Sequence, residues 1–316
     1  MKFFYLLCLC FISLNAFSIK EARDKEIVSA YNKIQKSLSA VVSVNILDQR
    51  TNKIKGTGSG VLLSSNGYIV TNFHVIKNSE NIQISFTGSK KRFKAKVIGF
   101  DEASDIAVLK IQKTRHKAIL FIDSNKLHLS DEVFAIGNGF GLGTTVSKGI
   151  ISALNKRSIG IYEYENLIQT DATINPGNSG GALVNSNGDL IGINSVIYTR
   201  SGGSNGVGFA IPSNTVKIIA SAIINKGSYE RGYLGISFEE EHNKVIIETI
   251  DKSSQAYKNG LSIGDIIISV DNVKVDEVGD ILYILGLTQV EESLQVKYLH
   301  KNKIYIKNIR LSKRPQ

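Results

Sequence analysis

Tyr68-Ile69-Val70-Thr71-Asn72-Phe73-His74 is a short β-branched and aromatic run that closes on a polar turn residue and a histidine. Such a run reads as a buried strand, because stiff branched side chains fit a pleated sheet. The same texture recurs on both sides of it. Short β-rich stretches cover 41–47, 60–63, 81–86, 95–99, 106–111, 132–136, 144–153, 167–170, 182–184, 190–196 and 207–211, with Gly, Asn, Ser and Asp between them. Many short strands separated by turn residues predict an all-β barrel or sandwich.

The pattern breaks after Pro212. Val216, Ile219 and Ile223 fall at helical spacing, Ser213 is placed to cap the helix, and Gly227 to end it. Residues 227–232 (Gly-Ser-Tyr-Glu-Arg-Gly) read as a linker. A second, smaller module follows, with strand-like runs at 245–249, 266–270, 294–298 and 304–311 and candidate helices at 254–259 and 277–286. The division expected is therefore a β-rich domain over 40–226 and a small α+β domain over 229–313.

The chain has 316 residues, 42% of them hydrophobic and 21% charged, a globular balance that excludes wholesale disorder. Lys2 precedes an apolar run over 3–14, followed by small residues around Ala16 and Ser18. This is the pattern of a secretory signal peptide over 1–18, removed after Ser18 or kept as a membrane anchor. Residues 19–39 read as an N-terminal arm, with Ile27, Tyr31 and Ile34 at helical spacing. Both cysteines, Cys8 and Cys10, lie in the apolar run. A chain cleaved after Ser18 carries no thiol, which removes cysteine nucleophiles, thiolate metal sites and disulfides together. The net charge of +10 is scattered. Its densest cluster, Lys90 to Lys96, alternates like the wet face of a strand, so no nucleic-acid site is expected.

Three residues carry candidate chemistry. Asn175-Pro176-Gly177-Asn178-Ser179-Gly180-Gly181 is a tight loop with exposed N–H groups around one serine. A nucleophilic serine needs that setting, with the N–H groups of Gly177 and Ser179 facing the developing oxyanion. A plain Gly-rich turn explains the loop equally well when it is taken alone. Of the five histidines, His74 alone sits at the end of an apolar strand; His116, His128, His242 and His300 have polar neighbours. Asp105 opens the apolar run Asp105-Ile106-Ala107-Val108-Leu109, where a half-buried carboxylate can hold an imidazole in one tautomer. The order His, Asp, Ser on a β-rich chain is that of the chymotrypsin-type double barrel.

Longer stretches then identify the chain as resembling the HtrA (Deg) family of serine proteases. They are Gly58-Ser59-Gly60-Val61, Gly67 to Val75, Ser104 to Leu109, Ala135-Ile136-Gly137-Asn138, Gln169 to Val184 and Gly206-Val207-Gly208-Phe209-Ala210-Ile211-Pro212. The second module resembles that family's PDZ domain. Tyr233-Leu234-Gly235-Ile236 looks like its carboxylate-binding loop, and 261–267 like the segment after its first helix. Gly139 stands where many relatives have Pro, which puts that loop's geometry in doubt. The segment 49–57 is short where some relatives insert a long regulatory loop.

The resemblance implies a mainly β protein, a chymotrypsin-like double β-barrel followed by a small α+β PDZ domain. It implies an ATP-independent serine endopeptidase with the triad His74, Asp105 and Ser179, an oxyanion hole at Gly177 and Ser179, and no metal or cofactor. The substrate is expected along 194–197, touching Asn194, Ser195 and Val196, with its P1 side chain among uncharged residues near 174–177 and 192–194. Partners are expected to be unfolded polypeptides in the periplasm, exposed C-terminal peptides at Tyr233, Leu234, Gly235 and Ile236, and two further copies in a homotrimer. Activation loops are expected around 155–165 and 198–206. Rival readings are a holdase chaperone and a regulatory protease with one membrane client.

Overall fold

A computed structural model describes residues 32–79, 81–138, 143–197 and 206–315, the side chains of Val196 and Ile197 excepted. The signal segment, most of the arm, Gly139 and most of the loop expected at 198–206 lie outside these residues. Among the described residues no helix is long and apolar enough to cross a membrane.

The β-rich half is two closed barrels. The first is built from β1 (Val41–Leu47), β2 (Ile54–Leu62), β3 (Tyr68–Thr71), β4 (Ile82–Phe86), β5 (Arg92–Asp101) and β6 (Ile106–Lys110), in the order β1-β2-β3-β6-β5-β4. The second is built from β7 (Glu132–Gly137), β8 (Thr145–Lys156), β9 (Leu167–Thr170), β10 (Ala182–Asn185), β11 (Leu190–Ile197) and β12 (Gly208–Pro212), in the order β10-β11-β12-β9-β8-β7. Each barrel closes all its edges, which removes unpaired strands from solvent. Ile69, Ile84, Ile106 and Leu109 fill the first interior, and Ile151, Ile168 and Leu183 the second. β10 is buried on both faces: Ala182 and Val184 look toward the first barrel's core while Leu183 enters the second. That strand therefore welds the two barrels, and the active-site loop leads directly into it.

Residues 32–38 form α1. α2 (Phe73–Ile76) is a single turn where the sequence predicted the end of a strand, so His74 rides on a helix rather than on β3. α3 (Ser213–Lys226) buries Val216, Ile219, Ala220 and Ile223, and Gly227 ends it, its N–H donating to the Ile223 carbonyl at 2.8 Å. Ser213 does not cap this helix; its hydroxyl donates to the Ile122 carbonyl at 2.7 Å, tying the helix start to the second barrel.

The C-terminal module is a sheet of β13 (Ile236–Glu241), β14 (Lys244–Ile250), β15 (Ile266–Val270), β17 (Ser293–His300) and β18 (Lys303–Arg310) in that order, with β16 (Val273–Lys274) paired to β15. Two helices, α4 (Gln255–Lys258) and α5 (Val278–Leu287), complete it. Its core is separate: Val245, Ile247, Ile267, Ile281, Leu294 and Ile309. β13 is absent from the sequence reading, since its Glu239-Glu240-Glu241 end is exposed and carries no buried alternation.

The stretch read as a linker is clamped. The Arg231 guanidinium grips the Asp101 carboxylate through both terminal nitrogens, at 2.5 and 2.6 Å. It lies between the rings of Tyr164 and Tyr229, 4.4 and 4.9 Å from their centres. Arg157 on the second barrel pairs with Asp280 on α5.

Candidate active site

Asp105 is fixed before any histidine is considered. Asp101 caps the short turn Glu102–Ser104, accepting from Ser104 N at 3.1 Å, and leaves Asp105 in the left-handed conformation, φ +56°. The Asp105 carbonyl accepts from Phe73 N and from Asn72 Nδ2, at 3.1 and 3.0 Å. This stitches the turn to the start of α2. The Asp105 carboxylate then faces α2: Oδ1 accepts from His74 N and Oδ2 meets His74 Nδ1, both at 2.8 Å. A carboxylate only accepts, so Nδ1 carries the proton and Nε2 is left as the base. The carboxylate is buried, while the imidazole is half-exposed to the cleft.

Ser179 comes from the other barrel on a loop held at three points. Ser59 N donates to the Ser179 carbonyl at 2.8 Å, Ser59 Oγ to the Gly177 carbonyl at 2.6 Å, and Gly180 N to the Asn194 carbonyl at 2.8 Å. Gly180 has φ +83°, and a Cβ there would lie 2.1 Å from the Ser59 carbonyl oxygen, so only glycine lets the barrels approach this closely. The Ser179 hydroxyl donates to the Ser195 carbonyl at 2.8 Å, not to His74. Ser195 Oγ in turn donates to Asp105 Oδ2 at 3.2 Å. Ser195 thus touches both partners across the barrel junction, its backbone carbonyl holding the Ser179 hydroxyl and its side chain the Asp105 carboxylate that also binds His74. Among the described residues, the N–H groups of Gly177 and Ser179 donate to nothing, which leaves both for an incoming oxygen.

The residues expected to touch substrate divide. Asn194 is fully buried: its Nδ2 donates to the carbonyls of Ala182 and Ile136 at 3.0 and 3.3 Å. Ser195 is also fully buried and its hydroxyl serves Asp105. Both side chains work inside the fold, and the Asn194 backbone is engaged too, its N–H donating to the Gly181 carbonyl at 2.9 Å and its carbonyl accepting from Gly180 N at 2.8 Å. The Val196 side chain lies outside the description. Ile174 is buried against Gly208, and the neighbouring residues 174–177 and 192–194 carry no charge.

Sequence reasoning missed Ser59, Glu165 and Tyr162. The Glu165 carboxylate is buried and accepts from Ile159, Gly160, Ile161 and Tyr162 N–H groups, winding the loop 159–165 around itself. That loop delivers the Tyr162 hydroxyl to Asp105 Oδ2 at 2.8 Å. Gly58-Ser59-Gly60, a polar residue between glycines in a strand, was a signal for Ser59; the loop 159–165 lies within the activation loop expected around 155–165, but nothing in it singled out Tyr162 or Glu165.

A second candidate site lies on the C-terminal module. Tyr233, Leu234, Gly235 and Ile236 border a cavity of about 180 Å³ with Phe238, Leu282 and Leu285. Gly235 has φ +76°, which a turn beside Ser254 requires. The Tyr233 N–H is taken by the Ser312 carbonyl at 2.7 Å, whereas those of Leu234 and Gly235 donate to nothing among the described residues. Glu163 and Tyr164, from the loop that carries Tyr162, form the far wall, and Arg314 stands at the rim.

Comparison with known proteins agrees with this geometry. Residues 58–193 match the family model of the trypsin-like peptidase domain, and residues 232–311 that of the PDZ domain. The chain is 40% identical over 278 residues to the periplasmic serine endoprotease DegP of Salmonella typhimurium, covering 84% of this chain and 58% of that protein. It is 37% identical over 301 residues to the periplasmic pH-dependent serine endoprotease DegQ of Escherichia coli, covering 90% of this chain and 66% of that protein. It thus spans less than two thirds of these curated relatives. A solved structure of the HtrA-type protease AlgW with a tripeptide superimposes with a TM-score of 0.80 at 32% identity, covering 91% of this chain and 98% of that one.

Proposed function

The chain belongs to the HtrA family of serine proteases, and from that premise we propose that it is an ATP-independent endopeptidase of the periplasm that cleaves unfolded polypeptides. The convergence of Ser179, Asp105 and His74 at the barrel junction, with Ser195 bonded to both the serine and the carboxylate, carries the proposal. A protease domain over 40–226 and a PDZ domain over 229–313 follow an N-terminal segment, 1–18, that directs export.

In the proposed reaction, His74 Nε2 takes the proton of Ser179 as its oxygen attacks the scissile carbonyl, then returns it to the leaving amine. Asp105 holds the tautomer. Gly177 and Ser179 N–H groups receive the oxyanion. The present bond from Ser179 to the Ser195 carbonyl is a resting arrangement. A substrate strand paired along 194–197 takes that carbonyl and frees the hydroxyl for His74. Peptide C-termini would enter the PDZ cavity at the free N–H groups of Leu234 and Gly235, beside an apolar floor. There they would press on Glu163 and Tyr164, and so on the loop around 155–165. A population shift of that loop is the proposed activation. Homotrimer formation is carried by the family alone.

The test is digestion of casein by the full chain, with and without a peptide ending in an aliphatic residue. We expect cleavage that rises with the peptide and stops when a serine-directed phosphonate labels Ser179, as read by mass spectrometry. The mapped cuts should follow small aliphatic residues, because no charge lines 174–177 or 192–194; cuts following Lys or Arg would overturn that pocket assignment. No cleavage in either condition, with aggregation of casein still suppressed, would favour a holdase.

A further inference from the structure

We propose that Tyr162 is a positioning residue of the catalytic centre: its phenol shares Asp105 Oδ2 with His74 and limits the negative charge that the imidazole meets. The inference rests on the assignment of His74 and Asp105 as base and orienting acid.

Three side-chain donors converge on this one oxygen. His74 Nδ1 and Tyr162 OH each stand at 2.8 Å, and Ser195 Oγ at 3.2 Å. The two hydroxyls also touch each other, at 2.5 Å; with the phenol proton on Oδ2 at the shorter distance, the single Ser195 proton is shared between Oδ2 and the phenol oxygen. The other oxygen, Oδ1, takes the His74 backbone N–H. The phenol thus braces the carboxylate against rotation about its own axis.

The brace is built in at both ends. On one side, four backbone N–H groups wrap the buried Glu165 carboxylate and set the loop that ends in Tyr162. Hydrogen bonds to a charged acceptor are the stronger kind. On the other side, Tyr164 stacks on Arg231, which grips Asp101, which caps the turn that presents Asp105. The loop bearing the phenol and the turn bearing the carboxylate therefore hang on one guanidinium. Burial, reinforced by the Asp105 charge, holds the phenol protonated well beyond neutral pH, so it is a permanent donor.

The consequence concerns the base. A hydrogen bond donated to a carboxylate draws density away from its other bonds. With the phenol present, Asp105 stabilises the imidazolium less. Lys77, which caps the C-terminal end of the same helix, pairs with Glu102 at 2.6 Å. That pair is exposed and is untouched by a change at Tyr162.

The experiment is Tyr162→Phe in the full chain. The imidazole carbon-bound protons of the five histidines are followed by NMR across pH, and His74→Gln assigns the His74 signal. We expect the His74 midpoint to rise by roughly half a pH unit. The acid limb of kcat/KM on a chromogenic peptide should rise with it, and kcat/KM at pH 7 should fall about tenfold through a looser Asp105. A variant that loses thermal stability but leaves the midpoint in place would overturn the proposal. Should Tyr162→Phe fail to fold, Glu165→Gln loosens the loop with the phenol retained, and the midpoint must still move upward, by less. Absence of any proteolysis in the parent chain would sink the protease reading and leave the NMR result decisive for Tyr162.

Discussion

Asp105→Asn is expected to leave a folded protein whose kcat is lower by about 10⁴-fold, with KM little changed. The carboxylate receives four hydrogen bonds and makes none: His74 N on Oδ1, and His74 Nδ1, Tyr162 OH and Ser195 Oγ on Oδ2. An amide keeps one accepting oxygen and brings an NH2 that can only donate. The choice of orientation is forced. The His74 backbone N–H cannot reverse its polarity, so the amide oxygen stays at the Oδ1 position. The NH2 then faces three partners that can adapt. Two hydroxyls rotate, and the imidazole moves its proton from Nδ1 to Nε2. That last step removes the base, since Nε2 is the nitrogen that must take the serine proton. Steady-state cleavage of a chromogenic peptide measures the loss. A fall of less than tenfold would remove Asp105 from the role.

Gly180→Ala should cost about 3 kcal/mol of stability or more, together with the activity. Two penalties add at this position. The left-handed backbone, φ +83°, strains any residue with a Cβ, by about 1–2 kcal/mol. The new methyl carbon would also lie 2.1 Å from the Ser59 carbonyl oxygen and 2.4 Å from Thr71 Oγ1. These are a strand of the first barrel and the hydroxyl bonded to it at 2.6 Å, and neither is a flexible tip. Gly88 supplies the control: its φ is +72°, but nothing lies within 4 Å of the added carbon. Gly88→Ala carries the strain alone, about 1 kcal/mol. For a unit of this size each kcal/mol moves the melting temperature by about 2–4 °C, so thermal unfolding by circular dichroism resolves the pair. Equal shifts for the two variants would refute the close approach at Gly180.

The double barrel was legible because burial writes itself as alternation and apolar runs. The runs at 68–71, 106–111 and 167–170 appear as strands within a residue, and the helix over 213–226 follows from three isoleucine and valine positions. What escaped has a physical reason in each case. β13 runs along an edge with its glutamates in water, so nothing in it alternates. His74 was placed at the end of a strand because it follows the apolar run 68–73, yet the Asp105 carbonyl captures Phe73 N and turns the chain into α2. Asn194 and Ser195 were expected to touch substrate on the strength of the family resemblance. Their side chains instead complete the junction of the barrels, which only three-dimensional contacts reveal. Tyr162 offered no signal, as the loop 159–165 is held by Glu165 rather than by turn residues.

The Arg231 clamp makes the PDZ module hard to subtract. A chain stopped after α3 loses more than a peptide sensor. It also loses Tyr229 and the only cation paired with Asp101 among the described residues, a carboxylate that is buried in the full chain. An uncompensated charge in such a place either draws in water or takes up a proton. Either outcome loosens the cap that presents Asp105. A truncated protease domain therefore differs from the parent at its catalytic centre as well as at its missing module, and silence from it is not evidence of a peptide requirement. Excising the sensor while keeping residues through Gly232 would leave the guanidinium in place and separate the two losses.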